Sequence, residues 1–243
     1  MKNLKNLICT AVATTFALGF SPVGKASEIT SAEAMKATSA AVLPAMQKNQ
    51  IPGMAVALVL NDKTYIFNYG VSDVAQKSPV TAATIFEVGS VSKTFTATLA
   101  TYSEAMGKLK LTDTVAKYLP DLADTDFGNL QLFHLGTHTV GGMPLQVPDE
   151  IQSRAQLLAY FRTWKPAFKV GTTRTYANPS IGTLGWISAK SLGQDFSAAM
   201  TQNLFQPLGL TSTFLSVPAQ ELKNYSWGYA KDMKAVRVNP GML

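Results

Sequence analysis

Gly89-Ser90-Val91-Ser92-Lys93 opens a run in which Val91, Phe95, Leu99, Tyr102 and Met106 recur at helical intervals before Gly107 supplies a left-handed stop. The spacing predicts a core-buried helix over residues 91 to 106. A serine at its start lies beside unpaired backbone N–H groups and the positive end of the helix dipole, a setting that suits an attacking oxygen and the oxyanion it makes. Lys93, three residues on, shares the serine's helical face at about 5–6 Å between Cβ atoms. If it projects into the interior, desolvation disfavours its ammonium, and it can accept or relay the serine proton. The competing reading is an N-cap serine beside a solvated lysine. Position favours the first, because the pair follows an apolar hairpin and Gly89 permits close backbone approach.

Upstream, Met54-Ala55-Val56-Ala57-Leu58-Val59-Leu60 and Thr64-Tyr65-Ile66-Phe67-Asn68-Tyr69-Gly70 flank Asn61-Asp62, the pattern of a β-hairpin. The near-continuous apolar first strand implies burial on both faces. Tyr65, Phe67 and Tyr69 alternate with period two and belong to one packed sheet face. Before the hairpin, Ala34, Met35, Ala37, Ala41, Val42, Leu43 and Met46 mark a helix over 31 to 49, with Ser31 preceding Glu33 as its cap. Downstream, helical stretches alternate with Pro and Gly, and helices are expected at Ser153 to Arg162, Ile181 to Leu192 and Phe196 to Leu204. No later run adds strands to the hairpin, which is marginal alone.

Tyr176-Ala177-Asn178 is the second chemical candidate. In an extended or turn segment, side chains two apart point the same way, so a phenol and a carboxamide can face one cleft. Beside a lysine ammonium the phenol is pulled toward working pH, where Tyr176 could serve as general base. A structural tyrosine and a turn asparagine remain the alternative. His134 and His138 are spaced i,i+4, as zinc ligands can be, but the intervening Gly136 and the lack of a nearby carboxylate favour core or loop histidines. Asp149 and Glu150 read as solvated loop acids, and Gly141-Gly142 lacks the context of a phosphate loop.

The chain has 243 residues, 47% hydrophobic and 15% charged, enough to bury a core. Its charge is +6, but Lys2, Lys5 and Lys25 have no acidic neighbour in residues 1 to 26; beyond them 18 basic residues face 15 acidic ones, a net +3. Basic residues spread singly argue against a nucleic-acid partner. Lys2 and Lys5, the apolar run Leu7 to Phe20 and the small-x-small triplet Gly24-Lys25-Ala26 follow the order of a signal peptide, with cleavage expected after Ala26. The single cysteine, Cys9, lies inside that segment, so the expected mature product has no thiol, disulfide or cysteine metal ligand. No other segment is long and apolar enough for a membrane span.

Ser90-Val91-Ser92-Lys93 followed by Tyr176-Ala177-Asn178 resembles the active-site pair of the class C, AmpC-type, serine β-lactamases. Their sister class carries S-x-x-K, S-D-N and K-T-G. The resemblance extends to Ile51-Pro52-Gly53-Met54-Ala55-Val56-Ala57, Phe86-Glu87-Val88-Gly89-Ser90, Gly141 to Asp149 and Tyr225-Ser226-Trp227-Gly228-Tyr229, and covers residues 28 to 243. It implies an α/β (α+β) fold of the serine β-lactamase/DD-peptidase type, a helical subdomain plus an antiparallel sheet. The organisation it implies is 1–26 signal peptide and 27–243 β-lactamase domain, with the hairpin at 54–70 and a helical region at about 90–215. The same resemblance implies that Ser90 is acylated, Lys93 is its proton partner, Tyr176 is base and leaving-group acid, and Gln146 and Asn178 bind the substrate's side-chain amide. The backbone N–H of Ser90 would be one oxyanion donor. The family's K-T-G strand is missing up to Leu243, so the expectation is the N-terminal two-thirds of the enzyme, its C-terminal strands lacking. The implied activity is hydrolysis of penicillins and cephalosporins through an acyl-serine, expected only in a full-length parent, by a monomer without cofactor or metal in the periplasm of a Gram-negative bacterium. The rival readings are a DD-peptidase or esterase of the same fold, separated by slow deacylation, and a non-catalytic remnant.

Overall fold

The structure, a computed structural model, describes residues 29–238. The expected signal peptide therefore lies outside the described residues, whose first element is α1, Ser31–Asn49. Its cap is Thr30 rather than Ser31: extended Thr30 accepts the Glu33 N–H at 3.2 Å, and the Glu33 carboxylate accepts the Thr30 N–H at 2.9 Å. This reciprocal box satisfies two orphan donors of the first turn, and it forms one residue earlier than the sequence reading placed it.

β1, Gly53–Leu60, and β2, Lys63–Asp73, form the predicted hairpin about Asn61-Asp62, with Leu60 opposite Lys63 and Gly53 opposite Gly70. Both turn residues have positive φ, the backbone that a two-residue hairpin of this twist demands. α1 packs on one face of the hairpin, where Ser39 Oγ and the Tyr69 hydroxyl lie 3.1 Å apart and Phe67 is buried. The other face is open: Ala55, Ala57, Val59 and Ile66 are exposed, Val59 by 68%. Burial of β1 on both faces, expected from its apolar run, is thus corrected. Composition marked a buried strand, whereas burial depends on which elements cover it.

The hairpin is also not alone. β3, Ser78–Pro79, pairs with β2 across a bulge between Val71 and Asp73. Farther along, the Trp227 N–H reaches Ser72 O at 3.0 Å, and a parallel bridge joins Ile85 to Tyr225. β4, Gly228–Tyr229, and β5, Ala235–Val236, make a second small ladder. These strands are two residues long and carry no periodic signal that a sequence reading could detect.

A 3₁₀ turn at Gly89–Val91 leads into α2, Ser92–Ala105. Its buried stripe is Thr96, Leu99, Ala100 and Ser103, while Val91 and Met106 of the predicted stripe are exposed. Small residues line this face because α2 lies against α6, Asn178–Ser191, along their lengths. Between them come α3, Val115–Tyr118, α4, Leu132–Thr137, and α5, Arg154–Thr163, the last capped by Ser153 through the Gln156 N–H. α7, Phe196–Met200, runs into a π-helical turn at Thr201–Phe205.

α6 is the hub of the helical body. Leu184 and Ile187 enter a core with Leu122, Leu132, Leu135, Leu157 and Phe161, and Ala189 enters a second with Leu99, Met200 and Phe205. Phe127 stacks on Phe161 at 4.0 Å and meets Trp164 edge-on at 5.7 Å. Each such ring contributes about 1.5–3 kcal/mol on burial. This core fixes α2 against α6, and with them the residues at their N-terminal ends.

Candidate active site

Ser90 stands in the 3₁₀ turn ahead of α2 and is exposed, while Lys93, one turn on, is half-buried. The Lys93 Nζ donates to Ser90 Oγ at 3.1 Å. Neither flanking position shows a side-chain cap bond, so Ser90 is not the N-cap of the competing reading; its hydroxyl is engaged by the lysine instead. Gly89 adopts φ +53, in the left-handed region, and a Cβ there would meet open space. Glycine is required for the backbone conformation that turns the chain into Ser90, not for the close approach expected.

Tyr176 comes from the segment before α6 and lies beside this pair. Lys93 Nζ is 4.9 Å from the centre of its ring, and the Arg174 guanidinium is 5.6 Å away. Hydrogen bonding to Lys93 first, then to Ser90, with the nearby positive charges, holds the phenol below its ordinary value. Each of these interactions favours the phenolate, because anionic oxygen gains more from a cationic donor than neutral oxygen does. Ser90, Lys93 and Tyr176, separated by up to 86 residues in sequence, are thus brought together.

Ala177 is extended, at φ −145 and ψ 123, and Asn178 begins α6. The two residues after Tyr176 therefore straddle a helix start rather than sharing one extended segment. The Asn178 N–H donates to Leu145 O at 2.9 Å, which ties the loop carrying Gln146 to the head of α6. Gln146 is exposed on that loop, and Asn178 Oδ1 is buried without a hydrogen-bond donor among the described residues.

Two supports of the site escaped the sequence reading. His138, left-handed at φ 59 and 4% exposed, lies against Tyr176, with ring centres 4.8 Å apart, and accepts the Ala177 N–H on Nδ1 at 3.2 Å. Burial, with the Arg174 and Lys93 charges, pushes its imidazole down. Glu87, three residues before Ser90, receives the Tyr225 hydroxyl and the Val238 N–H, while Arg237 is stacked 4.0 Å from the rings of both Tyr225 and Trp227. Ser226 N–H and Ile85 O, 3.0 Å apart, extend this clasp. In the sequence, Tyr225 and Trp227 stand out only through the family resemblance. Among the described residues no group of three or more His, Cys, Asp or Glu side chains is placed to hold a metal ion.

A helical body built on one central helix, set beside an antiparallel sheet and carrying Ser90, Lys93 and Tyr176 at converging helix ends, defines the serine β-lactamase/DD-peptidase fold class. The chain belongs to the β-lactamase family, whose model matches residues 38–243. A β-lactamase of Pseudomonas fluorescens is 50% identical over 202 residues, covering 83% of this chain and 56% of that protein. The crystal structure of a class C β-lactamase superposes with a TM-score of 0.86 at 43% identity, covering 89% of this chain and 61% of the other. The D-alanine carboxypeptidase AmpC from Burkholderia cenocepacia gives 0.83 at 43% identity, covering 88% and 59%. The chain spans about half the length of the curated relatives it matches.

Proposed function

We propose that the chain carries the acylation site of a class C serine β-lactamase and opens the β-lactam ring of penicillins and cephalosporins through an acyl-serine. The observation that carries this reading is the Lys93 Nζ to Ser90 Oγ hydrogen bond at 3.1 Å beside a phenol held below its ordinary value. Lys93 Nζ reaches Ser90 Oγ and lies over the Tyr176 ring. Its work is to hold Tyr176 toward phenolate and to orient the serine hydroxyl.

Tyr176 then takes the Ser90 proton as Oγ attacks the lactam carbonyl carbon, and the backbone N–H of Ser90 faces the developing oxyanion. The C–N bond breaks, and the phenol returns the proton to the departing nitrogen. A water, deprotonated by the same phenolate, cleaves the ester and restores Ser90. Gln146 and Asn178, held together by the Leu145 contact, form the subsite for the substrate's side-chain amide. Lys93 and Arg174 supply positive potential that suits a carboxylate-bearing substrate. We further propose export through residues 1–26 to the periplasm as a monomer; among the described residues no helix is long and apolar enough to cross a membrane.

The structural likeness to a D-alanine carboxypeptidase supports a second reading, in which the acyl-enzyme forms equally but persists. The test is intact-mass spectrometry of the full chain after incubation with a fluorescent penicillin. The expected result is one penicilloyl adduct, lost in Ser90→Ala, and its decay rate separates hydrolase from peptidase. A chain that takes no adduct at saturating penicillin, or an adduct that persists in Ser90→Ala, overturns the assignment.

A further inference from the structure

We infer that His138 is the positioning residue of Tyr176, and that it works only as a neutral imidazole. Its backbone carbonyl accepts the Thr175 N–H at 2.8 Å, its Nδ1 accepts the Ala177 N–H at 3.2 Å, and its ring lies over the Tyr176 ring at 4.8 Å and 34°. One residue thereby holds the amides on both sides of Tyr176 and the aromatic ring between them. His138 is itself over-determined. It ends α4 in the left-handed region, at φ 59 and ψ 34, with its own N–H turned back toward the end of that helix, and it is 4% exposed. Histidine is among the few residues with a Cβ that are enriched in this conformation.

An Nδ1 that accepts a backbone N–H must lack a proton, so the ring is the Nε2–H tautomer. A second proton would set a donor against a donor and break the Ala177 latch. The charged and titratable groups facing the imidazole are Lys93 from α2 and Arg174 and Tyr176 from the segment ahead of α6. On its own helix, His134 sits one turn back and is occupied on Nδ1 by the Gln131 N–H. The two cations oppose protonation, as does burial. Acid is therefore expected to disable the site by releasing the Thr175–Ala177 segment and moving the phenol from Ser90, before any gross unfolding.

The inference rests on the proposed role of Tyr176, and the experiment separates the two. Two variants of the full chain divide the functions of His138. His138→Asn keeps a short acceptor and tolerates the left-handed backbone, whereas His138→Phe keeps a ring but loses the acceptor. The first measurement is the second-order rate of Ser90 acylation by a fluorescent penicillin from about pH 4.5 to 8.5. The second is an NMR titration of the His138 ring nitrogens and the Ala177 amide in the unmodified chain.

Acylation should fall about 10- to 100-fold in His138→Phe, the scale of a displacement near 1 Å at a reacting group. His138→Asn should remain within a few-fold of the parent at neutral pH and lose the part of the acid limb that follows His138 protonation, keeping the part set by the Tyr176 phenol. The Ala177 amide should move along the His138 titration curve. Equal rates for His138→Phe and the parent, or an Ala177 amide indifferent to His138 protonation, overturn the inference. A parent chain that takes no penicillin sinks the proposed function instead, and the Ala177 titration then decides the positioning role alone. Should His138→Phe fail to fold, the asparagine variant's pH profile and the titration decide it.

Discussion

Replacing Gly185 with valine should loosen the site from a distance, because this glycine is the point where α6 meets α2 and α7. A Cβ built there lies 2.8 Å from Phe196 Cε2 and 3.0 Å from Thr96 Cγ2. For Gly185→Ala two effects oppose one another. Helix propensity favours alanine by about 0.8–1.0 kcal/mol, while the single methyl must push back both the edge of the half-buried Phe196 ring and the Thr96 methyl. The net change should fall within about 1 kcal/mol of zero. Valine gives back much of the propensity gain and drives two further methyls toward Thr96, which is 9% exposed on a packed helix. Overpacking of this kind costs about 1–3 kcal/mol. A net loss of about 2 kcal/mol, up to roughly 30-fold in the folding equilibrium, is expected. With a urea slope of about 2–3 kcal/mol/M, the midpoint should fall by close to 1 M. Since α2 carries Lys93 and α6 begins at Asn178, acylation of Ser90 should slow as well. A valine variant with an unchanged midpoint, or one indistinguishable from alanine, would refute the claim that close α2–α6 contact sets the site.

The remaining expectations concern charge. Tyr176→Phe and Lys93→Ala should each lower the Ser90 acylation rate by about 10²-fold or more, and the double variant should be far from additive because one proton transfer uses both groups. A near-normal rate in Tyr176→Phe would remove the phenol from the mechanism. Asp113 accepts from Lys117 Nζ at 2.8 Å and from the Tyr118 hydroxyl at 2.6 Å, which holds its carboxyl at about 2. Because this lies below the unfolded value of about 3.9, its stabilisation is complete above that pH and lost as pH falls toward 2. Asp113→Asn should accordingly lower the urea midpoint at pH 7 and do so progressively less below pH 4; an equal loss at both would assign the effect to packing.

Local chemistry was readable without coordinates. The i,i+3 spacing of Ser90 and Lys93 predicts their contact because a helix turn alone brings them together, and the structure adds only the 3.1 Å distance. The same holds for the Asn61-Asp62 turn and the stop at Gly107, each a matter of a few consecutive residues. Contacts across long separations were not readable. Glu87 and Tyr225 are 138 residues apart, and neither side chain announces its partner. His138 read as a core or loop histidine, and it is indeed buried, but its hold on the Ala177 N–H depends on α4 lying against α6.

The sequence by itself determined the longer helices and the hairpin, the serine–lysine turn and the family, because these rest on periodicity, on turn-forming residues and on short motifs, all local properties of the chain. Tertiary structure decided which face of β1 is covered, that two-residue strands would join its partner, and that Tyr176 would reach Ser90 with His138 beneath it. The first follows from α1 lying on the hairpin and the last from the packing of α2 and α4 on α6, where burial and hydrogen bonding are shared between residues far apart in the chain, and no local pattern encodes them.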